Sequence, residues 1–247
     1  GRCGVGEVSH IPGLSPGTEE EVDRYLSDLC HALNRVETDP GSLSGEVAAM
    51  PGFPKVPGVR FALECALLDL EHRGTQLLFP SAFTEGREGI PTNGLIWMGD
   101  RDAMKKQIAG KLDRGFRVLK MKVGALDLNT ELEILREVRR EYPAGMLEIR
   151  LDANGAWSPQ EAMDPLEKFA RWSVHSIEQP IPTGYPEELA ALCRSSPIPV
   201  ALDEELAGKD PDPGWLGAIR PAYLILKPGL LGGFSVAEQW VRAAGDL

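Results

Sequence analysis

The chain has 247 residues, enough for one large α/β domain or two modest ones. Apolar and charged fractions of 43% and 26% exclude the disordered and fibrous classes. A formal charge of −11 argues against a nucleic-acid or anionic-membrane partner, either of which wants a basic face, and no apolar run is long enough to span a membrane.

After a turn-rich opening, "GRCGVGEVSHIPGLSPG", the stretch "SPGTEEEVDRYLSDLCHALN" predicts a helix. A capping Ser or Thr precedes acidic residues, and Val22, Tyr25, Leu26, Leu29 and Leu33 recur at helical spacing. "PGVRFALECALLDLEHR" predicts a second helix, buried over much of its surface through Phe61, Leu63, Ala66, Leu67 and Leu70. The polar "PSAFTEGREGIPTN" reads as a linker. Residues 1–90 are thus expected to form one, mostly helical domain and residues 91–247 a second.

From residue 91 the rhythm changes. Short apolar runs, "GLIWMG", "FRVLKMKVG", "LEIRLDANG", "HSIEQPI", "IPVALDEEL" and "AYLILKPGLLGG", alternate with helical patterns such as "DRDAMKKQIAGKLDRG", "LNTELEILREVRREY" and "SPQEAMDPLEKFARW". Repeated β-then-α units imply a parallel sheet, either doubly wound or a TIM-type barrel. Lys122, Asp152, Glu178, Asp203 and Lys227 each fall near the C-terminal end of one run, at spacings of 30, 26, 25 and 24 residues, one βα unit each time. A barrel gathers such strand ends around one mouth, whereas an open sheet binds at a single crevice. No GxGxxG loop follows any run, so the barrel is favoured.

Asp152, Glu178 and Asp203 come from successive strands, which lie about 4.8 Å apart. Three carboxylates on such tips would repel unless neutralised, and a hard cation with oxygen ligands, Mg²⁺ first and Mn²⁺ as a substitute, suits them. Individually each could instead be a helix cap or a loop carboxylate. Lys120 and Lys122 of "LKMKVG" share one face of their strand, since residues i and i+2 point the same way. A lysine beside a cation in a desolvated barrel mouth gives up its proton readily enough to serve as a general base. Lys122 takes that role, with Lys120 one pleat deeper adding positive charge that favours it. The competing reading has one or both lysines reaching solvent along the sheet. A lysine base beside a carboxylate-binding metal points to removal of a proton α to a carboxylate.

The motifs "KMK", "LDANGAW", "SIEQPI", "ALDEEL" and "LKPGLLGG" together resemble the muconate-lactonizing branch of the enolase superfamily, most closely the o-succinylbenzoate synthase family of menaquinone biosynthesis. "RFALECALLDLEHR" and "GVGEVSHIPGLS" resemble the helix and the loop-leading segment of its capping domain. The resemblance implies an incomplete, modified TIM-type (β/α) barrel beside a partial α+β capping domain. By it, Lys122 removes the α-proton and returns one to the departing hydroxyl, Lys227 stabilises the enediolate, and Asp152, Glu178 and Asp203 hold Mg²⁺. Asn154 would orient a metal-bound water or simply form the turn before Gly155. Trp97 and Met98 would pack on the substrate ring or, in the plainer reading, fill the barrel core. Glu204 should point away by strand alternation and is left out of the ligand set. His10, Leu14 and Ser15 are assigned by resemblance to a loop over the site. The family's first strands and last two βα units have no counterpart here, so the chain is expected to be a fragment, poorly folded or inactive alone.

The function expected is dehydration of 2-succinyl-6-hydroxy-2,4-cyclohexadiene-1-carboxylate to o-succinylbenzoate. The alternatives are an N-acylamino acid racemase or dipeptide epimerase using the same two lysines, a non-catalytic barrel acting as a binding protein, and a phosphate-binding barrel enzyme. The partner is a small carboxylate substrate, and a homo-oligomer is compatible with the sequence. Cys3, Cys30, Cys65 and Cys193 lack CxxC spacing and read as reduced thiols of a cytoplasmic protein, while His10, His31, His72 and His175 are too scattered for a zinc signature.

Overall fold

The computed structural model describes residues 3–34 and 56–245. It divides into one unit of Gly1–Ile90, Leu206–Pro213 and Leu226–Leu247 and another of Pro91–Glu205 and Gly214–Ile225. In the first unit, helix α1 (Glu19–Leu33) starts at a capping box: the Thr18 hydroxyl accepts from Glu21 N and the Glu21 carboxylate accepts from Thr18 N. Helix α2 (Pro57–Glu71) starts with proline at its first position, where no donor is lost. Val22, Val56 and Val59 form a small core with Val8, Tyr25, Leu26 and Leu29, and Leu63 and Leu67 form another with Leu29 and Leu33.

The opening "GVG" lies directly on α2. A Cβ on Gly4 would stand 1.9 Å from the Ala66 carbonyl oxygen and one on Gly6 1.8 Å from that of Ala62, so only glycine permits this approach. Buried Asp69 fastens the same region, accepting from Val5 N at 3.1 Å and Gln76 N at 2.6 Å.

The second unit runs β1 (Gly94–Ile96), α3 (Arg101–Asp113), β2 (Val118–Lys122), α4 (Leu128–Glu141), β3 (Glu148–Asp152), α5 (Met163–Ala170), β4 (Ser176–Glu178), α6 (Pro186–Ser195), β5 (Val200–Leu202), a 3₁₀ turn (Glu204–Leu206), α7 (Pro213–Ile219) and β6 (Tyr223–Leu224). The strands pair in parallel, in the order β1-β2-β3-β4-β5-β6. The order never reverses, so the sheet lacks the crevice of a doubly wound fold and winds as a barrel does. Side chains Asp100 and Asp127 cap α3 and α4. In β2, Leu119 and Met121 are buried on one face, and Lys120 and Lys122 occupy the other.

Two elements are shorter than their patterns. Helix α5 begins at Met163 rather than near Ser158, because Ser158 takes up Glu161 in a side-chain hydrogen bond and residues 159–162 form turns. Strand β1 ends at Ile96, before Trp97. The first unit closes with α8 (Pro228–Leu231), for which Lys227 is the N-cap residue, and α9 (Phe234–Gly245), whose first two amides are accepted by Glu64.

Candidate active site

Parallel register aligns the charged residues. Lys120 pairs with Arg150 and Arg150 with Ser176, while Lys122 pairs with Asp152 and Asp152 with Glu178. A base candidate and two carboxylates therefore share one layer at the C-terminal ends of β2, β3 and β4. Asp203 follows the end of β5 and is 4% exposed. The Lys122 ammonium donates to Asp152 Oδ2 at 2.6 Å and to Asn154 Oδ1. The Lys120 ammonium bridges Asp152 Oδ2 at 2.8 Å and Glu178 at 2.7 Å. Neither lysine reaches along the sheet to bulk water: their side chains are 19% and 11% exposed for Lys120 and Lys122 respectively.

The site holds more negative charge than its burial favours. Burial opposes the Lys120 charge, but hydrogen bonds and attraction from Asp152 and Glu178 hold its ammonium above the ordinary lysine range. Burial likewise works against the Asp152 carboxylate, and the two lysine hydrogen bonds more than offset it, keeping Asp152 below the usual range. Glu178 is pushed up to about 8, first by burial, then by the Asp152 charge, with Asp203 adding in the same direction. Three buried carboxylates, one of them raised by burial and then by the charge of its neighbours, fit a hard divalent cation, which would offset their negative charge with oxygen ligands alone. Among the described residues, no three such side chains are already arranged around one point. Asp152 and Glu178 are held by the two ammonium groups in their place.

The turn after β3 sets Asn154 at φ 46° and Gly155 at φ 71°, and Asn154 N donates to Asp152 Oδ1 at 3.1 Å. Asn154 is thus more than a turn former, since its side chain reaches both Lys122 and, through Nδ2, Glu204 Oε1 at 2.7 Å. Contact with Glu204 corrects the expectation that Glu204 points away. Strand alternation does not apply there, because β5 ends at Leu202 and Glu204 opens a 3₁₀ turn. Trp97 and Met98 are 55% and 41% exposed, so the core reading fails for both: they lie beyond the end of β1. The Trp97 ring centroid is 5.6 Å from Lys122 Nζ, a cation–π distance. Lys227 belongs to the other unit.

Sequence reasoning missed Gln179. Buried and in the left-handed region at φ 39°, it accepts from Asp203 N and Glu205 N with Oε1, each at 3.2 Å, and donates to Ile181 O at 3.0 Å. It ties the end of β4 to the turn that presents Asp203. The available signal was a polar amide immediately after the candidate ligand in "SIEQPI", before a proline. Buried Glu131 was also missed. It accepts from Gly124 N at 2.7 Å and Leu126 N at 3.2 Å, pinning the loop that follows Lys122.

A family described as enolase C-terminal domain-like matches residues 103–244. The o-succinylbenzoate synthase of Desulfotalea psychrophila is 44% identical over all of this chain and 73% of its own length. The crystal structure of MenC from Desulfotalea psychrophila LSv54 superposes with a TM-score of 0.88 at 42% identity, covering 100% of this chain and 75% of that one. The structure of o-succinylbenzoate synthase from Thermosynechococcus elongatus BP-1, complexed with Mg in its active site, shares the fold at a TM-score of 0.74 and 23% identity, over 98% of this chain and 69% of that one. With its parallel sheet, its strand-end lysines and carboxylates, and these likenesses, the chain belongs to the enolase superfamily, in its o-succinylbenzoate synthase family.

Proposed function

We infer that this chain carries the barrel chemistry of an o-succinylbenzoate synthase, a lyase that removes water from 2-succinyl-6-hydroxy-2,4-cyclohexadiene-1-carboxylate in menaquinone biosynthesis. The observation that carries the reading is the shared layer of Lys122, Asp152 and Glu178, with the Lys122 ammonium paired to buried Asp152, in a chain 44% identical to such an enzyme. Asp152, Glu178 and Asp203 hold Mg²⁺, with Mn²⁺ as a substitute. When bound, the metal supplies a Lewis acid for the substrate carboxylate. As the neutral amine, Lys122 accepts the α-proton through Nζ, the ring C–O bond then breaks, and the same proton leaves with the hydroxyl as water. Lys120 keeps a positive charge beside the carboxylates as this happens. Trp97, over the Lys122 ammonium, and Met98 meet the substrate ring.

The reading includes a cytoplasmic location, supported by four unpaired cysteines, and among the described residues no helix is long and apolar enough to cross a membrane. Assaying the full gene product with Mg²⁺ on the cyclohexadiene carboxylate and on N-acylamino acids tests it. Dehydration of the first is expected. Racemisation of the second with the first untouched would replace this reading by the racemase one.

A further inference from the structure

Glu204 lies outside the proposed ligand set, yet it is joined to the proposed base by a single intermediary. Lys122 Nζ donates to Asn154 Oδ1, and Asn154 Nδ2 donates to Glu204 Oε1 at 2.7 Å. The order of donors matters. An ammonium only donates and a carboxylate only accepts, so an amide held between them has one orientation, oxygen toward the lysine and nitrogen toward the carboxylate. Without the carboxylate, the amide could turn and present N–H groups to Lys122, which would repel it.

The intermediary and the carboxylate end of this chain of contacts are fixed independently. The Asn154 backbone is held in its left-handed turn by Asp152 Oδ1. The Glu204 turn is flanked by the two amides that Gln179 accepts, Asp203 N and Glu205 N. Among the described residues, Asn154 is the one hydrogen-bond partner of the Glu204 carboxylate, whose second oxygen, Oε2, is buried and accepts from none of them.

We propose that Glu204 is a positioning residue for Lys122, acting through the Asn154 side chain to hold the ammonium at the end of β2. The proposal rests on Lys122 being the base of the dehydration. Loss of the carboxylate displaces the base without touching the substrate, so it lowers kcat and leaves KM nearly unchanged.

The test is a double-mutant cycle of Glu204→Ala and Asn154→Ala in the Mg²⁺-loaded full gene product, with kcat and KM measured on the cyclohexadiene carboxylate. Glu204→Ala should lower kcat by about 10- to 100-fold. The double variant should be no slower than Asn154→Ala alone, since one residue works through the other. Glu204→Gln, which keeps an oxygen able to accept from Asn154, should recover most of the loss. Glu204→Met, of similar length and without an oxygen, replaces the alanine variant if that does not fold. Losses that add, or a loss confined to KM, would overturn the proposal. A crystal structure of the Glu204 variant decides independently of turnover: a rotated Asn154 amide and a displaced Lys122 Nζ are expected, and an unmoved Lys122 overturns it. A wild-type enzyme inactive on this substrate would count against the dehydratase reading, while the structural comparison would still judge the positioning.

Discussion

Glu131→Gln should abolish a pH-dependent part of the protein's stability. Glu131 lies in the first turn of α4, is 2% exposed, and accepts Gly124 N and Leu126 N from the loop that follows Lys122. Burial, the largest cause, outweighs those backbone hydrogen bonds and raises its carboxyl from 4.5 to about 7. Its folded value is above its unfolded one, so between about pH 4.5 and 7 the folded state holds a proton that the unfolded state has lost. Stability from this group is complete below the unfolded value and falls as pH rises through the folded value. The difference between 4.5 and about 7 corresponds to about 3 kcal/mol lost by pH 8. A glutamine keeps an oxygen for the two amides and carries no charge at any pH. Urea denaturation of both proteins at pH 5 and pH 8 should give near-equal stabilities at the lower pH, with the variant ahead by about 2–3 kcal/mol at the higher. A difference that does not change with pH, or one favouring the wild type at pH 8, would refute the reasoning.

Other outcomes follow from the same structure. Lys122→Ala should lower kcat for dehydration by about a hundredfold or more, the range of a lost general base. Titration calorimetry should meanwhile find Mg²⁺ affinity unchanged or improved, because an ammonium now on Asp152 has gone. Gly4→Ala should destabilise the first unit by about 1–3 kcal/mol, read as a lower melting temperature, since its Cβ would collide with the Ala66 carbonyl oxygen at 1.9 Å. An unaltered melting temperature would show that the segment does not rest on α2.

The parallel sheet was legible because its charged strand ends repeat once per βα unit, and the register bears this out in aligning Lys122, Asp152 and Glu178. Spacing carries such information only while the chain is a strand. It ceased to apply at Glu204, where a 3₁₀ turn replaces alternation, and at Trp97, which an apolar run placed in a strand that ends one residue earlier. Gln179 was hidden for a related reason: a non-glycine residue at φ 39° leaves no periodic trace, and its work is done through backbone amides of a distant turn. Glu131 sat in a helical pattern as one more polar residue, and only the loop folding back on it reveals why it is buried.

The central claim is that three carboxylates from successive strands share one cation beside a lysine base. Its most direct test is the crystal structure of the full gene product soaked with Mg²⁺. An oxygen of each of Asp152, Glu178 and Asp203 is predicted at about 2.0–2.1 Å from a single ion, with Lys122 Nζ released from Asp152 and facing the same space. A magnesium bound elsewhere, or one that leaves any of the three carboxylates uncoordinated and still paired to lysine, would contradict it.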